Sequence, residues 1–245
     1  MKKYAALSAI IIVIGAVFVI VFSRVKAHSD HVARLDADIS TQIAKADQIN
    51  AIARTIDGRR SRLLNDGQSP FTKADQAFQG TDTTMGIGAI EFATRKMAEI
   101  FSTYEETVHG FRDDVQHDVA QLPHVQRISD AAVLYESTHS ESLATVVRKL
   151  TLLSDHSNMM ATTWREAGTA VATNNPLGMM AFHEWDAKAS GRRLGSDMNN
   201  VDDSVRSLTK EINSDADLIR NQARIESTQR EGIAKEGIFT QILTP

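Results

Sequence analysis

The chain has 245 residues, a formal net charge of −4 and no cysteine. Without cysteine there is no disulfide, thiolate metal site, thiol nucleophile or c-type haem attachment, and without a basic surface there is little to neutralise nucleic-acid phosphates. Hydrophobic residues at 42%, charged residues at 24% and only four prolines describe a folded, helix-rich chain rather than a disordered one.

The first element is a charge-free run from Tyr4 to Phe22, preceded by Lys2 and Lys3 and followed by Arg24 and Lys26. About 19 apolar residues at 1.5 Å each nearly match a bilayer core. A short basic N-terminus stays in the cytoplasm, so the rest is expected outside it. Residues 1–26 are therefore expected to form a cytoplasmic tip and transmembrane signal anchor, in a bacterial inner membrane, with the membrane engaged through residues 4–22. The rival is a signal peptide cleaved after Ala27, before His28.

From residue 27 to 245, apolar residues recur at alternating spacings of three and four, the pattern of packed helices. Helices are expected at about 27–65, 88–122, 125–173 and 179–242. The first stripe is Val32, Leu35, Ile39, Ala46, Ile49, Ala53, Ile56 and Leu63. A loop at 66–87 carries a short helix that opens on Ser69-Pro70 and closes near Gly80. The second stripe runs from Ile90 through Met97, Phe101, Tyr104, Val108, Phe111 and Val115, up to Pro123. The third is Ile128, Ala132, Tyr135, His139, Val146, Leu150, Leu153, Met160, Trp164 and Val171, and Asn174-Asn175-Pro176-Leu177-Gly178 turns the chain. The fourth helix is expected to break at Ser190-Gly191 and to resume at Ser196, with Leu194, Met198, Val201, Val205, Leu208, Ile212 and Ile219 as its stripe. Short turns make antiparallel neighbours. The fold class expected is all-α: an N-terminal transmembrane helix continuing into an antiparallel four-helix coiled-coil bundle, with Trp164 and Trp185 level across the second turn.

Catalytic signatures fail, so no enzyme is expected. His183-Glu184 lacks its second histidine because Ala187 stands there; Ser207 and Lys210 match Ser-x-x-Lys by letter only; Met85-Gly86-Ile87-Gly88 is no phosphate loop. Glu106…His109 and Glu136…His139 both read Glu-x-x-His, a spacing used in di-iron bundles. Glu106 turns away from the Val108 face, however, and only His139 falls on its stripe. His109, Asp113, His117, Glu136 and His139 are the candidate metal ligands, and no cofactor is expected. Arg59, Arg60 and Arg62 on the first helix, with Arg192 and Arg193 on the fourth, are the candidate site for a small anionic ligand, because converging guanidinium groups grip oxyanions in bidentate fashion.

An N-terminal membrane helix with a helical bundle resembles, over roughly residues 4–220, the sensor domains of bacterial chemoreceptors, which also carry arginines on their first long helix. That resemblance implies ligand sensing, although the chain shows no second membrane helix, HAMP-like segment or signalling hairpin. The outline is also similar to that of the LemA family, where Ile39-Ser40-Thr41-Gln42-Ile43 echoes a motif but lacks the Pro-Asn that follows it there. The function expected first is an interaction or scaffold component of a cell-envelope complex, with protein partners or self-association through helical faces. A sensory or accessory subunit comes second and a metal-binding bundle third.

Overall fold

A computed structural model describes residues 2–65, 69–79, 86–123, 131–173 and 186–235, with the side chains of 2–14, 16, 78–79, 131–138, 186–190 and 234–235 outside the described set. The described residues form five helices and no strand: α1 (Lys2–Leu64), α2 (Pro70–Gln79), α3 (Ile87–Ala120), α4 (Ala131–Ala172) and α5 (Asp186–Lys235). The turn at 174–178, Gly80, Trp185 and the stripe residues Ile128, Ala132 and Tyr135 lie outside the residues, or side chains, that are described.

Two compact units divide the chain, one of residues 1–47 and 215–245, the other Gln48–Ser214. In the first, α1 and α5 run antiparallel, since Asp47 meets Arg220, Gln42 meets Glu226 and Asp36 meets Arg230. Val32, Leu35 and Ile39 are half-buried, and small side chains close the seam, with Ala46, Ala216 and Ala223 buried.

The second unit holds the large core. Ile49, Ile56, Phe101, Val108, Val115, Leu150, Leu153, Leu194, Leu208 and Ile212 are fully buried. Most fall on the spacings of three and four that the sequence shows. Antiparallel directions follow from pairs of contacts: His109 with Ser154 and Thr94 against Gly168 for α3 and α4, and His156 with Asp197 and Ser142 with Glu211 for α4 and α5. α3 and α4 pack tightly at Gly168, where a Cβ would lie 2.9 Å from the Thr94 hydroxyl oxygen. That hydroxyl donates to the Ile90 and Glu91 carbonyls of its own helix.

Local chemistry explains the shorter elements. Pro70 opens α2, where its missing N–H is no loss, and the Lys73 amide donates to the Ser69 carbonyl at 3.1 Å. Phe71 then meets Phe101 edge-on, with ring centroids 5.9 Å apart, which fixes α2 against α3. Gly86 precedes α3 at φ 92°, a conformation open chiefly to glycine. At its far end α3 stops at Ala120, three residues before Pro123.

Two expectations about the helices need correction. The break at Ser190-Gly191 with a restart at Ser196 is absent: α5 runs through all of these residues. A helical glycine costs only about 1 kcal/mol relative to alanine, less than full burial of Leu194 and Val201 returns. Among the described residues no helix is long and apolar enough to cross a membrane. The Tyr4–Phe22 run lies mostly among side chains outside the described set, and its described part, Val17, Phe18, Val19, Ile20 and Phe22, is exposed along α1.

Candidate anion-binding cavity

α1, α2 and α3 enclose an open cavity of about 660 Å³ in the second unit. α1 contributes Arg59, Arg62 and Leu63, α2 contributes Pro70 and Lys73, and α3 contributes most of the remaining wall, from Lys96 to Asp114. Heptad spacing explains why these residues converge. Leu63, Tyr104 and Phe111 belong to buried stripes, and the longer polar side chains stand on the flanks.

Four cationic side chains, Arg59, Arg62, Lys73 and Lys96, face two acidic ones, Glu99 and Asp114. Two cations are already engaged. Arg59 pairs with Asp118 and lies 3.5 Å from Asp114, and Lys96 donates to Glu99 at 2.7 Å. Among the described residues Arg62 and Lys73 have no ion-pair partner, and both are exposed at the cavity. Apolar walls come from Leu63, Pro70, Ile100 and Phe111.

Tyr104 is the least satisfied group of this lining. The residue is 5% exposed, and its hydroxyl has no hydrogen-bond partner among the described residues. Burial pushes the phenol well above its usual pKa, because the charged form would lose its hydration. A buried donor without an acceptor costs about 1–3 kcal/mol. A shallower recess of about 400 Å³ between α3 and α4 balances Arg95 and Arg165 against Glu99 and Glu106, leaving no excess charge.

The structure separates the five arginines singled out in the sequence. Arg59 and Arg62 reach the cavity. Arg60 occupies the buried stripe instead, following Ile49, Ala53 and Ile56 at the next spacing, and turns to α5. There it pairs with Asp202, while its Nε donates to Asp57 at 2.9 Å and its Nη2 donates to the Ser61 hydroxyl at 3.3 Å. Burial opposes its charge, but the hydrogen bonds and negative charges of Asp57 and Asp202 outweigh that and raise its pKa. Arg192 and Arg193 are exposed on α5 and line neither cavity. Asp197, the carboxylate nearest them in sequence among those described, is engaged by His156.

The candidate metal ligands are likewise dispersed. His109 Nε2 lies 2.8 Å from the Ser154 hydroxyl and 3.8 Å from Glu105. His117 bonds Gln121, Asp113 pairs with Arg112, and His139 is buried. The Glu136 side chain lies outside the described set. No group of three or more metal-binding side chains occurs among the described residues.

Sequence reasoning missed Lys73, Lys96 and Tyr104 as members of one site. Tyr104 reads only as an apolar-stripe position, and the lysines stand on separate helices. The one usable signal was a phenol in a stripe otherwise made of aliphatics and phenylalanine. No family model, curated protein or solved structure matches the chain.

Proposed function

We propose that the chain is a membrane-anchored, extracytoplasmic helical-bundle protein that serves as an interaction or scaffold component of a cell-envelope complex. α1 carries this reading. It is one helix, Lys2–Leu64, that leads from the charge-free run into the buried stripe of the second unit. Val17, Phe18, Val19, Ile20 and Phe22 supply exposed apolar surface, as lipid contact requires. The bundle itself is an antiparallel four-helix coiled coil of residues 48–64 of α1 with α3, α4 and residues 186–214 of α5. Arg59 to Asp118 and Arg60 to Asp202 tie α1 to α3 and to α5, in support of that closure. Exposed apolar pairs one heptad apart, Leu152 with Met159 and Leu218 with Ile225, offer faces to helical partners or to a second copy.

A reporter fused after Pro245 tests the anchor. The expected product is exported and stays with the membrane through alkaline extraction; a mature N-terminus at His28 overturns it. Native mass spectrometry of the full chain in micelles tests self-association, with a dimer or larger species expected and a strict monomer counting against it. A second reading, a ligand-binding sensory or accessory subunit, is favoured by the cavity with its two unengaged cations.

A further inference from the structure

Three groups lining the α1–α2–α3 cavity are unused by the fold's own bonding. Among the described residues Arg62 and Lys73 carry charge with no ion-pair partner, and the Tyr104 hydroxyl has no hydrogen-bond partner. They come from three different helices and meet at one lining. Beside them stand Leu63, Ile100 and Phe111, an apolar wall that a bare inorganic ion would leave wet.

We propose that this cavity binds a small amphiphilic oxyanion: a carboxylate or phosphate head on a compact apolar body. The inference rests on the ligand-binding reading above and names the chemistry of its ligand. Arg62 and Lys73 take the head, since a guanidinium forks onto two oxygens and an ammonium adds a point charge. The cavity volume of about 660 Å³ falls in the range of sites that hold small organic molecules. Arg59 and Lys96, held by Asp114, Asp118 and Glu99, are already neutralised and do not compete for the head, so Arg62 and Lys73 are left to attract it. The Tyr104 phenol stays neutral at physiological pH and is therefore a donor; its oxygen is closed to water in the empty protein, so the wall over it has to open on ligand entry before an oxyanion supplies the acceptor it lacks. Selectivity follows from the split lining. A neutral molecule leaves two cations unpaired, and an ion without a body leaves the apolar wall exposed to water.

The test is isothermal titration of the full chain in nanodiscs. The probes are phenylacetate, phenyl phosphate, inorganic phosphate and 2-phenylethanol, and an Arg62→Ala/Lys73→Ala double variant controls for partition into lipid. Saturable binding of phenylacetate or phenyl phosphate is expected, the tighter of the two identifying the head, with inorganic phosphate and the neutral alcohol at least about tenfold weaker. Arg62→Ala and Lys73→Ala alone should each weaken binding about tenfold with the helical circular dichroism unchanged. Tyr104→Phe should weaken it about threefold while raising the melting temperature of the empty protein. Inorganic phosphate binding as tightly as phenyl phosphate overturns the amphiphile and leaves an anion-binding subunit. Equal binding of the alcohol overturns the oxyanion head but keeps a ligand site. No saturable binding by any probe overturns both this inference and the reading beneath it. A lowered melting temperature for Tyr104→Phe removes the phenol from the site and overturns the three-group arrangement.

Discussion

The two units of this chain use the same two helices, α1 and α5, in opposite ways. In the first unit the pair buries alanines and Ile219, and polar contacts such as Gln42 to Glu226 cross between the helices. In the second, Ile49, Ile56, Leu208 and Ile212 of α1 and α5 are fully buried, as are Phe101, Val108, Leu150 and Leu153 of α3 and α4. A two-helix seam can bury only one stripe per helix, so its stability comes from small residues in close approach and from exposed ion pairs worth little each. The wider core buries large aliphatics and tolerates a few charged groups on its stripes, provided each is paired. Identical periodicity therefore yields different strength, according to how many helices share the stripe.

The largest expected effect tests where that strength resides. Phe101→Ala removes a side chain 1% exposed that also supports Phe71. It should lower unfolding free energy by about 3–5 kcal/mol, read by denaturant titration; a loss as small as that of a surface change would move the core elsewhere. Next comes the charged position in the strong stripe. Arg60→Ala leaves Asp202 without its cross-helix partner and should cost about 1.5–3 kcal/mol, whereas Arg60→Met with Asp202→Leu should recover most of the loss. Failure of the double variant to recover would mean that the pair contributes more than mutual neutralisation.

A third, smaller effect concerns Tyr104 and alkaline pH. Its folded pKa is raised by burial, so the folded state holds the phenol proton after the unfolded chain has begun to release it. The contribution is fully present below about pH 10, the unfolded phenol value, and is lost as pH rises beyond it. Tyr104→Phe should flatten that part of the alkaline decline by one proton in the stability-against-pH slope; an unchanged slope would mean the phenol is not sealed. The smallest effect belongs to the weak unit. Asp47→Ala breaks the ion pair to Arg220, in which Asp47 is 64% exposed, and should change stability by about 0–1 kcal/mol. A loss as large as that of Arg60→Ala would erase the contrast between the units.

Much of the helical plan was legible because burial imposes a period. Ile49, Ala53, Ile56, Phe101, Val108, Val115, Leu150 and Leu208 are read as stripe residues and all are buried. Pro70 likewise marks the start of α2, since its ring fixes the backbone and removes a donor that a first turn does not use. Pairing across long separations was not legible. Arg60 sits on the stripe by spacing, yet its charge places it with Arg59 and Arg62 as one cluster, and only the position of Asp202, 142 residues away, decides otherwise. The cavity depends on where α2 lies against α1 and α3, which no local pattern encodes. The expected interruption of α5 failed for a related reason: propensity at Ser190 and Gly191 is weaker than the burial gained by their neighbours.

The notch at Gly168 has a mechanical consequence. Thr94 is β-branched, its hydroxyl is tethered to two carbonyls of its own helix, and it stands where the opposing helix has no side chain. Axial sliding of α3 along α4 would carry Thr94 out of that notch and against the side chains on either side of it, so the contact acts as a detent. Sliding is thus opposed more strongly than a small rotation about the same point. Relative motion of this helix pair is therefore expected to be a tilt or twist rather than a slide, and a cysteine cross-link between α3 and α4 that permits rotation but forbids translation should leave the pair's conformational exchange unaltered.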